Sequence, residues 1–457
     1  MNPEPIWMVT YRLIIRDVLG SQLFVLPSDN QLRLPTWQLP FSHFWQDVAH
    51  INAWVLQHLG LNTRVLRCIN IADDFTQHHM TLTYELLAEA PNQLKTGNWL
   101  KLEQALTDQV LEPSLRLWQV QRLAQTPHAQ AVPWYQPDWG PAAFQWVTTV
   151  LAQTDIQPTG QFEHYRTWNR SSVWQLATTH GTLYFKALPA MFGHEIGLTH
   201  HLLSHEPNHT APFLALEQHH HWMLLPDFGA PKLTEISAIE QWQASFAAYA
   251  KLQIRQIDLL DQLEACGLAV RPLRWLSQQI EPLLNDSEAV LLNQPWGLSS
   301  SELAQLQQAI PQLKAACRAL QAYNIPNTLD HGDLGASNII VKGQHIIVTD
   351  WSDASISQPF FSLGLLLEDV EIRFSTLANV REVLLKSYLD PWAEQLRLDY
   401  QTLRQAYRYA ELLTPIHQAL TYQHWIKPYL QASWEMEAMI PTYLRQLILI
   451  LERSGAV

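Results

Sequence analysis

The chain has 457 residues, of which 47% are hydrophobic and 16% are charged, a composition typical of a globular protein with two or three domains. Its 42 acidic side chains outnumber its 29 lysines and arginines, the formal net charge is -13, and no long basic run is present, so we expect no nucleic-acid partner. Three scattered cysteines, Cys68, Cys266 and Cys317, match neither a disulfide framework nor a zinc-ligand spacing.

The N-terminus, MNPEPIWMVTYRLIIRDVLG, lacks the basic start, apolar core and small-residue cleavage site of a secretion signal. No uninterrupted apolar run approaches the length that a membrane span needs. We therefore expect a cytoplasmic protein that does not associate with a membrane.

Residues 1–125 alternate strand-like runs with one strong helical segment, DVAHINAWVLQHLGL. The segment TPHAQAVPWYQPDWGP then interrupts the regular pattern with four prolines. We predict a first domain over residues 1–125 and a linker over residues 126–160.

From residue 161 to 230, the strand-like runs SSVWQLAT and TLYFKAL flank a short turn, and a helical stretch and the run WMLLPDFGA follow. From residue 231 to 457, helical patterns such as AIEQWQASFAAYAKLQIRQIDLLDQL dominate. These patterns predict a small mixed lobe followed by a large helical lobe, an α+β architecture.

Within the helical region, LDHGDLGASNIIVKGQHIIVTDW contains two apolar runs about a turn at Gly343, which indicates an antiparallel hairpin. Asn338 and Asp350 then lie at the same end of the hairpin, where paired positions are about 5 Å apart. Their side-chain oxygens are ligands of the kind that Mg²⁺ prefers. Asp333, in the preceding loop, can face them as a separate carboxylate base.

The spacing of His331, Asp333, Asn338 and Asp350 resembles the catalytic and metal-binding loops of protein kinases. Gly332 in place of an arginine, and TDW in place of Asp-Phe-Gly, are similar instead to the aminoglycoside and choline phosphotransferases. This resemblance implies a bilobal, protein-kinase-like fold with ATP and Mg²⁺ as cofactors. It also implies that Asp333 orients and deprotonates a hydroxyl group, while Asn338 and Asp350 bind the metal.

Upstream of the loop, the resemblance assigns two side chains to the ATP phosphates. Lys186 ends the TLYFKAL run, from where its ammonium would reach the α- and β-phosphates, and Glu195 in the next helix would fix that lysine. Taken alone, Lys186 is explained as a solvated strand end and Glu195 as an ordinary exposed helix residue. Their order ahead of the catalytic loop is what supports the assignment.

The resemblance also places the adenine and the phosphate loop. WMLLPDFGA looks like the strand and hinge that receive adenine, with main-chain hydrogen bonds from Leu225 to Asp227, although WMLLP equally fits a buried strand. WNRSSVWQL occupies the phosphate-loop position without a glycine, and Ser171 and Ser172 would supply main-chain and hydroxyl donors there.

The acceptor is expected to be a small molecule with a hydroxyl group, bound between the catalytic loop and the helical lobe. Asp353 and the acidic residues Glu368, Asp369 and Glu371 can meet a cationic substrate, although a solvated helix face is the simpler explanation of the last three. The resembling family accepts aminoglycosides, choline, sugars and amino-acid-like alcohols, so no single substrate follows.

Two segments depart from the family pattern. Where the family often has Gly-Asp-Pro and then Asp-Leu-Ala after the metal-binding aspartate, this chain has SQP at 357–359 and SLG at 362–364. The last family aspartate usually braces the catalytic loop. A catalytically weak or inactive nucleotide-binding regulatory protein of the same fold is therefore the alternative prediction.

The first domain resembles a Nudix domain in its order of strand, helix and strand. A Nudix helix carries glutamates on one face that bind Mg²⁺ beside a diphosphate, whereas this segment has Ala53, Trp54, Gln57 and His58, with only Asp47 acidic nearby. We therefore predict a Nudix-like domain that does not hydrolyse diphosphates and that senses a ligand or serves in packing. An unrelated α/β domain is the alternative.

Overall fold

The computed structural model describes residues 6–28, 31–89, 93–123, 130–343 and 345–453. The chain is a mixed α and β protein, as predicted, and forms two compact units. The first unit comprises Met1–Pro189 and Trp222–Asp227, and the second comprises Ala190–His221 and Phe228–Val457. The first unit therefore contains the predicted first domain and linker together with half of the predicted small lobe, and the other half, which includes helix α5 (His194–His205), belongs to the second unit.

Strands and helices alternate in the first part of the chain, and helices dominate the second. The strands are β1 (Met8–Arg16), β2 (Gln22–Ser28), β3 (Gln31–Arg33), β4 (Thr36–Pro40), β5 (Asn62–Asp74), β6 (His79–Glu89), β7 (Asn98–Lys101), β8 (Pro158–Trp168), β9 (Ser171–Thr178), β10 (Gly181–Ala187), β11 (Ala215–Glu217), β12 (Trp222–Pro226), β13 (Ala269–Val270), β14 (Thr328–Asp330), β15 (Ile339–Lys342), β16 (His345–Val348) and β17 (Ser355–Ser357). The helices are α1 (Ala49–Leu59), α2 (Leu102–Thr107), α3 (Glu112–Leu123), α4 (Trp139–Leu151), α5 (His194–His205), α6 (Ile239–Arg255), α7 (Leu260–Ala265), α8 (Leu273–Asn285), α9 (Ser300–Gln308), α10 (Ile310–Gln321), α11 (Leu363–Arg373), α12 (Val380–Leu396), α13 (Tyr400–Thr421) and α14 (Met439–Arg453). None of the helices described is both long enough and apolar enough to cross a membrane.

The first sheet of the first unit has the strand order β3-β2-β1-β6-β5. β1 pairs parallel with β6, where Leu13 lies opposite Tyr84, and antiparallel with β4, where Tyr11 lies opposite Trp37. Consecutive residues of β1 are buried, because both faces of the sheet are covered. On one face, Ile14 packs in a core cluster with side chains of α2 and α3. The assignment of this domain as Nudix-like stays a prediction.

The predicted linker contains helix α4, whose buried side chains include Trp139, Ala143, Val147 and Leu151 at helical spacing. The prolines in this segment predicted irregular structure. However, Pro141 is in the first turn of α4, where a main-chain N–H would have no partner within the helix, so a proline there does not break it. The predicted linker residues 126–129 lie outside the described residues.

The second sheet of the first unit is antiparallel, in the order β12-β10-β9-β8. The runs SSVWQLAT and TLYFKAL form β9 and β10, which confirms the predicted strands. Along β10, Leu183, Phe185 and Ala187 are buried, and Phe185 contacts Trp139 and Trp174. Because side chains alternate along a strand, Lys186 is on the other face of this sheet.

The second unit is helical, with two small sheets beside the catalytic-loop sequence. One sheet has the order β13-β17-β14, and the other is the hairpin β15-β16. The hairpin was predicted, and its register pairs Ile339 with Val348 across a turn in which Gly343 has φ 63°. Gln344, also in the predicted turn, lies outside the described residues. Helix α13 is buried throughout residues 413–421, and it contacts the catalytic-loop sequence through His417 and Gln418.

Candidate active site

The loop between β14 and β15 holds Asp333 and Asn338 in one hydrogen-bonded turn. The side-chain Nδ2 of Asn338 donates to the main-chain oxygen of Asp333 at 2.9 Å. The main-chain N–H of Gly335 donates to the same oxygen at 3.0 Å. Since an amide has one N and one O, this bond orients Asn338 so that its Oδ1 is the atom available as a ligand.

The main chain at Gly332 explains why glycine stands between His331 and Asp333. Gly332 has φ 77°, and a Cβ atom there would lie 2.2 Å from the main-chain oxygen of Asp353. The Gly332 oxygen accepts a 2.6 Å hydrogen bond from Nε2 of Gln418 in α13. Any larger residue would displace the main chain at Asp353, in the turn that follows Asp350.

The ring of His331 joins the loop to the hairpin. Nε2 is 3.0 Å from the main-chain oxygen of Thr349, and Nδ1 accepts from the main-chain N–H of Asp333 at 3.3 Å. Nε2 therefore carries the proton and the ring is neutral. Burial lowers the pKa of His331 and outweighs the opposing effects of Thr349 and Asp350.

The hairpin brings Asn338 and Asp350 to its same end, as predicted. The main-chain N–H of Thr349 donates to the Asn338 oxygen at 3.0 Å, and Asp350 follows with φ 64°. A positive φ is uncommon outside glycine and costs free energy, so the surrounding structure enforces the direction of this carboxylate. An amide oxygen and a carboxylate at one hairpin end fit a hard divalent cation.

Glu195 and Asp350 both contact the hydroxyl group of Ser352. The Ser352 hydroxyl lies 2.7 Å from Oε2 of Glu195 and 2.9 Å from Oδ1 of Asp350, in hydrogen-bonding position to both. Glu195 is in the first turn of α5 and is only 2% exposed, so it is not the exposed helix residue of the simpler interpretation. The sequence pattern did not single out Ser352.

A buried carboxylate that the sequence analysis missed, Asp330, lies directly before the loop. Its Oδ1 accepts a 2.6 Å hydrogen bond from the Ser362 hydroxyl, and its Oδ2 accepts from Ser355 at 3.2 Å and from Nε2 of His417 at 3.0 Å. Burial alone would raise the pKa of Asp330, but the His417 and Ser362 bonds outweigh it and lower that pKa. Asp330 is therefore an anion, and the positive charge of Arg271 also lowers its pKa.

Ser362 occupies the position where the family pattern has its bracing aspartate. Its hydroxyl oxygen accepts from the main-chain N–H of His331 at 3.1 Å and from the Tyr249 hydroxyl at 2.8 Å, while it donates to Asp330. The carboxylate that bonds Ser362 thus comes from the strand before the loop. Only the adjacency of Asp330 to His-Gly-Asp hinted at this role.

Asp353, predicted as a substrate contact, is 6% exposed beneath Gly332. Its charge acts on His194, His331 and Arg271, where it favours the protonated forms. Arg271 is buried too, donates to the Thr421 hydroxyl at 2.7 Å, and lies 4.0 Å from the ring of Trp425.

The predicted nucleotide residues of the first unit are on β9, β10 and β12. Lys186 lies opposite Met223 of β12, and Leu225 lies opposite Tyr184, after which the Asp227 N–H donates to the Thr182 oxygen. Ser171 and Ser172 begin β9 and are buried. The Ser171 hydroxyl accepts from Nε1 of Trp168 at 3.0 Å, and the Ser172 hydroxyl is 3.2 Å from Nε2 of His164.

A cavity of about 570 Å³ lies in the second unit beside the catalytic loop. Gln418 lines it and also donates to Gly332, and Glu368 lines it next to Asp369, whose Oδ2 accepts from the Ala336 N–H at 2.6 Å. Burial raises the pKa of Glu368, and the charges of Glu371 and Asp369 raise it further. The sequence-based interpretation of this acidic group as a solvated helix face is therefore incomplete, because Glu368 and Glu371 border a cavity.

In the described part of the chain, no group of three or more His, Cys, Asp or Glu side chains is placed to hold a metal ion. The predicted magnesium ligands differ from such a group, since they are one amide and one carboxylate.

Several solved structures are similar to this chain at low sequence identity. A choline/ethanolamine kinase family protein from Mesorhizobium loti is 14% identical, covers 68% of this chain and 95% of its own, and gives a TM-score of 0.42. The choline kinase of Streptococcus pneumoniae is 12% identical, covers 68% and 99%, and gives 0.43. Spectinomycin phosphotransferase, solved with ADP and spectinomycin, is 14% identical, covers 69% and 98%, and gives 0.41.

Among curated proteins, no sequence matches the chain significantly. The model of the phosphotransferase enzyme family matches residues 169–406, slightly more than half of the chain, and this range includes the loop, the hairpin and Lys186. The resemblance drawn from the motifs is confirmed, and the chain belongs to the phosphotransferase enzyme family.

Proposed function

We propose that the protein transfers the γ-phosphoryl group of ATP, in the presence of Mg²⁺, to a hydroxyl group of a small molecule. The observation that carries the proposal is the loop and hairpin in which Asp333, Asn338 and Asp350 are held by main-chain and side-chain hydrogen bonds in the second unit. Structural hairpins do not need a neutral histidine, an αL aspartate and a fixed amide together, whereas phosphoryl transfer needs positioned oxygen ligands and a base.

Asn338 and Asp350 would hold the magnesium ion, which neutralises charge on the ATP phosphates when it is bound. Two observations support this assignment. Nδ2 of Asn338 donates to the main-chain oxygen of Asp333, and Asp350 is held in a main-chain conformation with positive φ that costs free energy. Ser352 would keep the Asp350 carboxylate oriented through its 2.9 Å contact.

The nucleotide assignments are part of the same proposal. Lys186 would position the α- and β-phosphates, and Glu195 would fix the lysine. The main chain from Leu225 to Asp227 would receive the adenine. The Ser171 hydroxyl accepts from Trp168 and keeps its own proton to donate, and we propose that Ser171 and Ser172 serve through main-chain and hydroxyl donors.

Asp333 would orient the acceptor hydroxyl and take its proton. The acceptor oxygen then forms a bond to the γ-phosphorus as the bond from that phosphorus to the β–γ bridging oxygen breaks, and ADP leaves. His331 supports this role through its two ring nitrogens. It donates to the Thr349 oxygen and accepts from the main-chain N–H of Asp333, and these bonds hold the main chain of Asp333 in position.

We further propose that the cavity beside the loop receives the acceptor and that the acceptor carries an amine. Its volume of about 570 Å³ is within the range of small-molecule sites. Arg381 donates to Glu371 at 2.7 Å and to Glu411, which compensates those two carboxylates. Glu368 hydrogen-bonds the neutral Gln446 at 3.2 Å, and burial with the nearby carboxylates outweighs the charge of Arg381 and raises its pKa, so an ammonium group would stabilise its charged form.

The alternative, an inactive nucleotide-binding protein, rested on the altered residues 357–364. This support is weaker in the structure, because Asp330 supplies a carboxylate beside the loop where the family has an aspartate at position 362. Ser362 donates to Asp330 and accepts from the main-chain N–H of His331. We therefore favour a catalytic protein.

The test is a panel of amino alcohols, sugars without amines and hydroxylated antibiotics, screened for ADP release with Mg²⁺ and ATP. We expect turnover with at least one amine-bearing alcohol and its loss in the Asp333→Asn variant. No turnover with any acceptor, although ATP binds, would favour the inactive alternative.

A further inference from the structure

Two arginines in the first sheet share a single carboxylate. Nε of Arg16 donates to Oε1 of Glu85 at 2.8 Å, and Nε of Arg67 donates to Oε2 of Glu85 at 2.8 Å. The arginine side chains are each 10% exposed and that of Glu85 is 5% exposed. Burial alone would raise the pKa of Glu85, but the two arginines outweigh it and lower that pKa, so the carboxylate is charged.

The sheet register produces this convergence. Glu85 on β6 lies opposite Arg67 on β5 and opposite Ile14 on β1, and Arg16 is two residues beyond Ile14 and thus on the same face. The β5–β6 register shifts on both sides of Arg67, between Val65 and Arg67 and again after it. Such bulges re-aim individual side chains and are enriched beside binding sites.

A third arginine borders the same place. A Cβ atom on Gly20 would lie 2.8 Å from Nη2 of Arg122 and 3.7 Å from Nη1 of Arg16, so both guanidinium groups adjoin Gly20. The nearby carboxylate of Asp17 already accepts hydrogen bonds from the main chain of Ser21 and Gln22 and from the Ser21 hydroxyl.

The charges do not balance. The two guanidinium groups of Arg16 and Arg67 share the single carboxylate of Glu85, and Arg122 nearby donates to the Gly20 oxygen at 3.1 Å. Within the described residues, the Nη atoms of Arg67 have no hydrogen-bond acceptor, although a guanidinium offers five donors. These Nη atoms are not buried without a partner, so they reach solvent, where a bound oxyanion could accept hydrogen bonds from them and compensate the second positive charge.

We propose that Arg16 and Arg67 form an anion site that binds the carboxylate or phosphate group of a small ligand. Glu85 holds the two guanidinium groups in register, and Arg122 adds charge at the rim. None of these arginines is among the proposed phosphotransfer residues, so the inference does not rest on the proposed function.

The first test measures binding to the full-length protein with inorganic phosphate and, separately, with succinate, at an ionic strength held constant with potassium chloride. Calorimetry should detect one of the two anions, and that anion should raise the unfolding midpoint beyond the effect of potassium chloride. The pair of probes distinguishes a phosphate from a carboxylate ligand. Absence of binding by both anions overturns the proposal.

Variants locate the bound anion. Arg67→Gln should weaken its affinity by about tenfold or more, since charge-assisted hydrogen bonds are lost. Arg116→Gln is the matched control, because Arg116 is on the same helix as Arg122 but is 71% exposed and paired with Glu112. It should bind as the wild type does. Equal affinity in Arg67→Gln and wild type contradicts the assignment.

A second variant remains informative if Arg67→Gln fails to fold. Glu85→Gln should destabilise the protein without anion, bind the anion more tightly than wild type, and recover stability when saturated with it. Glu85 as a purely structural partner predicts the destabilisation but no gain in affinity, which would overturn the proposal. Asp350→Ala should leave anion binding unchanged, and loss of binding in that variant would place the anion in the phosphotransfer site and refute the inference.

Discussion

Individual residues determine the conformation and the protonation of the loop between β14 and β15. Gly332 is required both by its φ of 77° and by the main-chain oxygen of Asp353, which lies 2.2 Å from where a Cβ would be. His331 is held neutral because each ring nitrogen has a main-chain partner of a different kind. Sequence spacing identified His331, Asp333 and Asn338, but it could not show that Gly332 is a steric requirement.

Gly332→Ala should lower the free energy of unfolding by about 3 kcal/mol, from the αL conformation together with the overpacked Cβ. Urea unfolding would measure it. Gly343→Ala is the matched control, since Gly343 also has positive φ but nothing lies within 4 Å of its Cβ position. There we expect about 1 kcal/mol. Equal losses in the two variants would show that the contact with Asp353 does not matter.

Asp333→Asn should lower kcat by about 10²- to 10⁴-fold, the range typical of a lost general base. The affinity for ATP should stay close to wild type, because Asp333 is not among the proposed metal ligands. Steady-state kinetics with an accepted substrate and calorimetry with ATP give the two values. Unchanged kcat would rule out Asp333 as the base.

Between elements, the loop is supported by β14, the turn before α11, and α13. The hairpin β15-β16 was predictable because two apolar runs about a glycine turn are a local pattern. The hydrogen bond from His417 to Asp330 joins residues that are 87 positions apart, so a local sequence pattern could not predict it. Helix α4 was not predicted, because the prolines of its segment indicated irregular structure. A proline in the first turn of a helix is compatible with that helix.

An exchange of the buried carboxylate tests the contact between β14 and α11. Ser362→Asp alone should impair folding and kcat, because it adds a second carboxylate where Ser362 is 2.6 Å from Asp330. Asp330→Ser alone should also lower kcat, since His417 and Ser362 lose their acceptor. The combined variant, Asp330→Ser with Ser362→Asp, should recover part of the lost kcat. Additive losses in the double-mutant cycle would contradict the idea that either position can supply the carboxylate.

Over the whole molecule, several histidines are kept neutral by burial. Burial lowers the pKa of His164 to about 3, and burial with the charge of His43 lowers that of His50 to about 4. In the second unit, burial also lowers the pKa values of His331 and His417. Below the ordinary histidine pKa of about 6.5, the unfolded chain therefore binds more protons than the folded one, and stability falls as the pH falls.

Acidification from pH 7 to pH 5 should reduce the free energy of unfolding by up to about 1.4 kcal/mol per pH unit for each such histidine, below pH 6.5. Urea titrations at pH 7, 6 and 5 would measure the slope. His164→Gln should make it shallower, because one group that resists protonation is removed. A slope that is unchanged in His164→Gln would contradict a neutral, buried His164.

The membership in the phosphotransferase enzyme family covers residues 169–406, and the two predicted metal ligands lie inside that range. The most direct measurement of the central claim is calorimetric binding of ATP with and without Mg²⁺ to wild type and to Asp350→Ala. Asp390→Ala serves as control, because that carboxylate is 48% exposed and pairs with Lys386. We predict that wild type and Asp390→Ala bind ATP in a Mg²⁺-dependent manner, and that Asp350→Ala loses that dependence with at least about tenfold weaker binding. Undiminished, Mg²⁺-dependent binding by Asp350→Ala would contradict the account.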